Sequence, residues 1–284
     1  MIVEFRIPLP IAVNDFEVAQ LYMITKVQEN VTGGGEGVIV LKNEPFDNKD
    51  GHMKISEISG VPVPKCEGQY TLKHYMIASM IPSFLKAILP SDSLYLVEES
   101  WNCHPYCLTV VTNGYLSKDR FRVSVESKYV DSDGSIENIL NLSPDDLKHR
   151  ERVIIDIAKK EKGEKTKPEE DVTQWHSTKR NLGPLQEGWY KQTTIPHVMW
   201  CYKTVAIKAK YFGIQSLVES LVRRQQEMIF RRSMQQMIVL MDEWDGLTLE
   251  TIRQLEEEGK KRLDSLIQSK ELSAELQEQK AKTK

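Results

Sequence analysis

Alternating hydrophobic and polar positions recur over much of the chain and predict a series of β-strands. These short runs lie at 2–8, 38–43, 69–79, 93–99, 106–116, 121–130, 152–158 and 200–210. Most follow one another without an intervening helix, which is typical of antiparallel pairing. A helix is predicted at about 15–30 with Asn14 as its N-cap, and long helices at about 214–242 and 248–280 close the chain. The pattern predicts an α+β fold, and 284 residues allow either one large domain or two small ones.

Several segments show neither the two-residue period of a strand nor the 3.6-residue period of a helix. The string TGGGEG at 32–37 lacks the Gly-Lys-Ser/Thr ending of a phosphate-binding loop and leads into a strand, so we interpret it as a helix-to-strand turn. The polar stretch 46–67 contains glycine and proline and predicts a long excursion between strands. Residues 159–198 predict a long surface loop, and the chain from about 273 onward predicts a frayed, solvated tail.

The two-residue period of a strand predicts which side chains share a face. In the run 121–130, Ser127 falls on the apolar face with Phe121, Val123 and Val125. The other strands of interest carry lysines in the same kind of position. Lys203 falls with Cys201, Val205 and Ile207, and Lys73 shares a face with Thr71, Tyr75 and Ile77.

A lysine on an apolar face needs an explanation, because a buried unpaired charge costs several kcal/mol. One explanation is that each lysine reaches the rim of the sheet or pairs with a core carboxylate. The other is a cavity that is apolar along most of its length and cationic at one end, which would match an amphiphile with an anionic head. The pattern alone leaves both open.

Composition and charge narrow the classes of protein. The 38 basic and 41 acidic residues are nearly balanced, which argues against a dedicated nucleic-acid binder. No apolar run approaches the ~18 residues of a membrane helix, and the N-terminus lacks the layout of a signal peptide. The four cysteines, Cys66, Cys103, Cys107 and Cys201, are too few and too scattered for a disulfide framework, so we expect a cytoplasmic protein.

The sequence gives only weak indications of a metal site or a catalytic site. Cys103, His104 and Cys107 could suggest zinc, but no second ligand pair lies at suitable spacing, so no metal is expected. No nucleophile motif is present, and we do not expect an enzyme. The arginine pairs 223–224 and 231–232 predict a solvated helix face, with a phosphate-rich membrane surface as the alternative.

Several unusual strings carry a family resemblance. They are TGGGEG (32–37), VLKNEPF (40–46), GQYTLK (68–73), WNCHPYC (101–107), TVVTNGY (109–115), GPL (183–185), EW (243–244) and LTLETIRQLEEE (247–258). With these strings in this order, the chain resembles the class I phosphatidylinositol transfer proteins from about residue 2 to 265. The resemblance implies a single domain over 1–284, with a mostly antiparallel sheet wrapped around an internal lipid cavity. Two long helices would grip that sheet in a START-like helix-grip fold, closed by a C-terminal helical lid.

The resemblance also implies residues that hold the lipid head. The inositol ring would be held by Thr71, Lys73, Asn102 and Glu256, and the phosphate by Gln20, Thr109, Ser127 and Lys203. Ser127 replaces the threonine usual in the family and keeps its hydroxyl. On the last helix Glu256 shares a face with Ile252 and Gly259, where the glycine suggests close approach of the backbone to the body below.

Further positions match family features outside the head site. Cys107 matches a thiol-sensitive cysteine beside the pocket, and Ser177 matches a phosphorylatable serine in the long loop. Tyr211 and Phe212 stand where the family has a membrane-dipping pair of tryptophans. The 47–67 excursion is longer than in the family.

The resemblance implies a carrier that binds one phospholipid, phosphatidylinositol and also phosphatidylcholine, and transfers it between membranes. The expected partners are these lipids and, transiently, a membrane surface, with no nucleic acid and no cofactor besides the cargo. We expect a monomer. An alternative is a sensor or presenter that supplies phosphatidylinositol to a lipid kinase. An enzyme on a similar sheet would need a reactive residue inside the cavity.

Overall fold

The computed structural model describes residues 1–31, 38–51, 53–76, 95–114, 118–160, 166–167, 170–192, 195–210 and 213–259. The strands within them are β1 (Ile2–Leu9), β2 (Val38–Asp47), β3 (Glu67–Met76), β4 (Tyr95–Cys103), β5 (Tyr106–Asn113), β6 (Phe121–Asp131), β7 (Glu151–Ile154) and β8 (Met199–Ala209). The helices are α1 (Val13–Val31), α2 (Pro144–His149), α3 (Gln215–Val239), α4 (Met241–Trp244) and α5 (249–259).

The strands form one sheet in the order β2-β3-β4-β5-β6-β8-β1-β7. All neighbouring strands are antiparallel except β1 and β7, which are parallel. The predicted α+β class with a mostly antiparallel sheet is therefore confirmed. The helix α2 was not predicted, and β7 ends at Ile154, well before the predicted end of that strand.

The start of α1 is set by a distant side chain. The prediction of Asn14 as N-cap was wrong, because the helix already begins at Val13. The backbone N–H of Val13 donates to Asp131 Oδ1 at 3.0 Å, and Asp131 is the last residue of β6. One of the unpaired donors at the helix end is thus satisfied across the tertiary structure, which no local motif reveals.

The core lies between one face of the sheet and helices α1, α3 and α4. Phe5 of β1 packs edge-on against Phe230 of α3, with the ring centroids 5.5 Å apart. Phe16 of α1 packs on Tyr129 of β6 at 4.2 Å. Aromatic pairs of this kind bury large apolar areas, so they hold α1 and α3 over the part of the sheet formed by β1, β6 and β8. We call this the inner face of the sheet.

The described parts of 159–198 contain a 3-10 turn, Trp189–Lys191, but no α-helix and no strand longer than an isolated bridge, so the segment is irregular as predicted. It is more than a surface loop, however. Val172, Leu185 and Trp189 are at most 2% exposed and belong to the core cluster. Isolated anchors in an aperiodic segment leave no repeating pattern, and the sequence therefore did not reveal them.

The excursion after β2 occupies residues 48–66 and packs on the outer face of the sheet, opposite the core. The Ser56 hydroxyl lies 2.6 and 2.8 Å from the two carboxylate oxygens of Glu99 in β4. The backbone N–H of Ser59 donates to the same carboxylate at 3.0 Å, and the Tyr70 hydroxyl donates to it at 2.9 Å. The buried Glu99 carboxylate thus fastens the excursion to β3 and β4.

A disulfide joins the end of the excursion to the sheet. Cys66 and Cys103 are bonded with an S–S distance of 2.03 Å, while Cys107 and Cys201 are free and buried. The sequence argument against a disulfide framework missed this pair. The two cysteines are 37 residues apart, and only the path of the excursion over the sheet brings them together.

The C-terminal helices differ from the predicted pair. The first predicted helix is divided into α3 and α4 at Leu240, and α5 is described up to residue 259. The expected close approach at Gly259 is not found, because no atom of the described residues lies within 4 Å of a Cβ built there. The predicted tail from about 273, like the 32–37 turn, lies outside the described residues. No helix among the described residues is long and apolar enough to cross a membrane.

Candidate functional site

The register of the sheet gathers the sequence-predicted residues into rows on the inner face. Asn102 lies opposite Cys107, Cys107 opposite Ser127, and Ser127 opposite Lys203. Directly opposed residues of antiparallel strands project their side chains to the same side. Four strands therefore contribute one continuous row, which ends against Phe5 of β1.

A second row runs beside the first. Thr71 lies opposite Ser100, which lies opposite Thr109, and in a third row Lys73 lies opposite Glu98. The predictions that Thr71 shares a face with Lys73, and Ser127 with the apolar residues of its strand, are confirmed. The rows now place all of them on the same side as Lys203. Their role in holding a lipid head stays a prediction.

Thiol and hydroxyl groups connect the first two rows. The Cys107 thiol donates to Asn102 Oδ1 at 2.9 Å, and the hydroxyls of Ser100 and Thr109 lie 2.9 Å apart. The Cys107 sulfur is 3.6 Å from the Ser100 hydroxyl and 3.7 Å from that of Thr109. These neutral groups can each donate or accept, so they can rearrange around a polar ligand. Sequence reasoning assigned no role to Ser100, although its position opposite Thr109 follows from the register.

Close packing of β3 on β4 holds Asn102 in place. A Cβ built on Gly68 would lie 1.9 Å from the backbone oxygen of Asn102, so only glycine fits there without moving the strands. This gives a physical reason for the glycine that opens the string GQYTLK.

Lys203 is a buried cation with an unusual environment. The residue is 6% exposed, and its ammonium donates to the Ser127 hydroxyl at 3.1 Å. The same ammonium lies 5.3 Å from the ring centre of Tyr129 and 5.2 Å from that of Phe230. Burial lowers the pKa of Lys203, and two neighbouring thiols oppose the shift. Within the described residues no carboxylate lies within ion-pair distance, so Lys203 neither reaches the rim nor pairs with a core acid.

Tyr129 completes a polar corner that sequence reasoning missed. Burial raises the pKa of Tyr129 well above its ordinary value, and the side chains of Ser127 and Gln20 oppose that shift. Its hydroxyl nevertheless makes no hydrogen bond of ordinary geometry with the described residues. A buried unsatisfied donor costs about 1–3 kcal/mol, so this group is suited to a ligand oxygen. The only available signal was its place on the Ser127 face. We call Gln20, Ser127, Tyr129 and Lys203 the cationic corner.

Lys73 differs from Lys203 in that a carboxylate lies near its ammonium. Its ammonium lies 3.9 Å from Glu98 Oε1, and the Tyr75 hydroxyl donates to the same oxygen at 3.1 Å. Burial raises the pKa of Tyr75, with the Glu98 carboxylate as a second cause. The carboxylate explanation therefore applies to Lys73 in part, and the long separation leaves its ammonium able to contact a further group.

Glu256 stands apart from the sheet rows. It lies on α5, where it accepts a hydrogen bond from Arg253 at 2.7 Å, and Ile252 of the same helix is fully buried in the core. Among the described residues no contact joins Glu256 to Thr71, Lys73 or Asn102. The structure thus groups three of the predicted inositol residues on one face and leaves the fourth on a helix.

The remaining predicted positions differ in their surroundings. Cys107 is buried on the inner face, as described above. Ser177 is fully buried, and its hydroxyl donates to Asp242, whose pKa is held well below its usual range by this bond and by those from Thr178. A protein kinase could reach Ser177 only after this segment detaches. Tyr211 and Phe212 lie outside the described residues.

Two pockets lined by described residues lie on the outer face of the sheet, away from these rows. One of about 330 Å³ is lined by Tyr70, Glu99 and Trp101 beneath the excursion. Another of about 370 Å³ is lined by Leu108 and Glu126, also on the outer face. Neither pocket corresponds to the internal lipid cavity that the family resemblance implies, and that cavity stays a prediction. In the part of the chain that the structure describes, no group of three or more histidine, cysteine or acidic side chains could hold a metal ion.

The sequence is similar to those of known proteins over nearly its whole length. The sequence profile of the family described as "Phosphatidylinositol transfer protein" matches residues 1–261. The phosphatidylinositol transfer protein beta isoform of Mus musculus is 40% identical over 271 residues, which cover 94% of each chain. Phosphatidylinositol transfer protein 1 of Dictyostelium discoideum is 36% identical over 272 residues, with 95% of this chain and 97% of that one covered. Membrane-associated phosphatidylinositol transfer protein 2 of Mus musculus is 38% identical over 91% of this chain, which corresponds to 18% of its own length.

Proposed function

Because this chain belongs to the phosphatidylinositol transfer protein family, we propose that it binds one phospholipid in an internal pocket and transfers it between membranes. Phosphatidylinositol is the defining cargo and phosphatidylcholine a second one. The observation that carries the proposal is the cationic corner, which lies on the same sheet face as Thr71, Lys73 and Asn102.

The cationic corner fits a phosphodiester. A buried ammonium without a counter-ion is unfavourable, and a monoanionic phosphate beside Lys203 would compensate it. The Ser127 and Tyr129 hydroxyls and the Gln20 amide can donate to the same group. Each hydrogen bond to a charged group contributes about 1.5–3 kcal/mol net. Since every phospholipid has a phosphodiester, this contact supports binding without choosing among heads.

Selection among heads falls to the rows nearer β3. Thr71, Lys73 and Asn102 present a hydroxyl, an ammonium and an amide to the inner face, and inositol offers hydroxyl partners to all three. Choline has no donor of this kind. These side chains therefore stabilise phosphatidylinositol more than phosphatidylcholine.

The lipid tails affect the balance little. Each methylene is worth about 0.8 kcal/mol against water, but in moving from bilayer to pocket it exchanges one apolar environment for another. Cargo choice is thus decided by the few polar contacts at the head.

A vesicle-to-vesicle transfer assay without any kinase tests the proposal. Lys73→Ala is expected to lower phosphatidylinositol transfer about tenfold or more while phosphatidylcholine transfer is largely retained. Lys128→Ala is the matched control, because Lys128 opposes Tyr202 and Tyr106 on the outer face. Equal loss of both lipids in Lys73→Ala would mean that the residue supports the fold or a common phosphate site. Absence of transfer by the unaltered protein would favour the presenter function.

A further inference from the structure

Helix α3 contains two pairs of consecutive arginines, and in each pair the first arginine makes contacts within the protein. Arg223 donates to Glu151 of β7 at 2.9 Å and to Glu227 at 2.9 Å. Arg231 is buried and donates to the backbone oxygens of Asp156 at 2.7 Å and Lys159 at 3.1 Å. The first arginine of each pair therefore fastens α3 to the segment that begins with β7.

The second arginine of each pair points elsewhere. Consecutive helical residues are about 100° apart, so Arg224 and Arg232 each project about 100° away from the arginine that precedes them. Both are exposed, and neither has an ion pair or hydrogen bond within the described part of the chain. The two acids of α3 do not compensate them. Glu219 is buried beside Gln215, and Glu227 already pairs with Arg223.

Exposed apolar side chains accompany the two arginines. Leu217 is 52% exposed, Met228 38% and Ile229 48%. At 100° per residue, these three side chains and the two arginines fall within an arc of about 140° along the helix. We call the exposed residues within this arc the α3 face; they are Leu217, Arg224, Gln225, Met228, Ile229 and Arg232. It has two positive charges, no negative charge and an apolar stripe.

We propose that the α3 face binds the surface of an anionic phospholipid bilayer. Arginines attract anionic head groups, and leucine, methionine and isoleucine side chains enter the boundary between head groups and tails. The absence of acidic side chains on the α3 face matches this occupant, since an acid would be repelled by the same surface.

The α3 face would bring a lipid carrier to the membrane, and this role rests on the proposed function. Binding to vesicles can be measured without transfer. The experiment compares vesicles of equimolar phosphatidylcholine and phosphatidylserine with vesicles of phosphatidylcholine alone, by co-sedimentation at low and at high salt. The double variant Arg224→Gln/Arg232→Gln is expected to bind the anionic vesicles about 30-fold more weakly at low salt. The difference should shrink at high salt because surface charges are screened.

The charge-matched control is Lys42→Gln/Lys148→Gln, which removes two exposed cations outside the α3 face. It should bind anionic vesicles as the unaltered protein does. A third variant, Met228→Ser/Ile229→Ser, should weaken binding by an amount that salt does not change. Equal weakening in the control would overturn the proposal, because net charge would then explain binding. So would unchanged binding by both α3 variants, an outcome that would favour a protein partner for this face.

Cargo measurements keep the two hypotheses distinguishable. Mass spectrometry of copurified lipid and the thermal unfolding midpoint should be unchanged in Arg224→Gln/Arg232→Gln, because its residues contact neither the core nor the cationic corner. A preparation without bound phospholipid would contradict the proposed function and leave the vesicle-binding result intact.

Discussion

Replacing Lys203 with methionine is expected to change protein stability and lipid retention in opposite directions. Methionine has a similar length and no charge, so it keeps the packing against the rings of Tyr129 and Phe230. In protein stripped of lipid, the ammonium is buried with only the Ser127 hydroxyl as a described hydrogen-bond partner. Replacing buried charged groups by apolar ones of similar volume is commonly neutral or stabilising, by up to about 4 kcal/mol. We expect Lys203→Met to raise the free energy of unfolding of the stripped protein by about 1–4 kcal/mol at neutral pH.

The pH dependence of this gain has a definite sign. The pKa of Lys203 is lower in the folded protein than the 10.5 of an ordinary lysine. Between the folded pKa and 10.5 the unfolded chain binds more protons, so the stability of the unaltered protein rises with pH across that window. The advantage of Lys203→Met should therefore be full below the folded pKa and diminish as pH approaches 10.5.

The retention of phospholipid by Lys203→Met should fall, whereas its stability rises. Loss of one charge-assisted hydrogen bond to the phosphate should reduce phospholipid retention about 10- to 150-fold.

Urea unfolding of stripped protein at several pH values, together with mass spectrometry of retained lipid, measures both effects. Lys208→Met is the matched control on the same strand, because Lys208 lies on the outer face and pairs with Asp119 at 3.2 Å. That variant should change stability by less than about 1 kcal/mol and leave retention unchanged. A stripped Lys203→Met protein that is less stable at neutral pH, or one that retains phospholipid normally, would refute the reasoning.

Three further predictions concern other residues. A bulky maleimide on Cys107 should block phospholipid loading, and bound lipid should protect the thiol from modification. Mass spectrometry measures both effects. Normal loading after complete modification would show that Cys107 is not part of the pocket wall. Cys66→Ser should lower the free energy of unfolding by about 3–4 kcal/mol, as expected for a loop of 37 residues, and the loss should vanish in reductant and recur in Cys103→Ser. Tyr211→Ala/Phe212→Ala should slow transfer and vesicle association at an unchanged melting temperature, whereas a core position would cost about 3–5 kcal/mol for each ring.

The sequence predicted which strand side chains share a face, because alternation is a local property. It placed Thr71 with Lys73 and Lys203 with the core residues of β8, and the structure agrees. It could not show that Ser127 and Lys203 stand directly opposite each other, since register depends on strands that are far apart in the chain. The family resemblance supplied Asn102, which strand alternation had not singled out.

Features that depend on contacts between distant parts of the chain could not be predicted from the sequence for the same reason. Asp131 satisfies the first N–H of α1 from the end of another element, and no capping motif marks it. The buried residues on the outer side of β8, including Tyr202, look polar or amphipathic in the sequence. Arg6 of the neighbouring strand lies over the Tyr202 ring, 5.1 Å from its centre, and Tyr190 packs edge-on against Trp200. The orphaned Tyr129 hydroxyl likewise emerges only when its neighbours are placed around it.

The opposed faces of β3 and β4 suggest a rule for interpreting amino-acid variants. In β3 the odd-numbered Thr71 and Lys73 lie on the inner face, and in β4 the even-numbered Ser100 and Asn102 do. Positions of the other parity, such as Glu99, fasten the excursion. A saturation survey of these strands should therefore separate into two alternating classes. Substitutions of one parity would alter which lipid is carried, and those of the other would change resistance to proteolysis within 48–66.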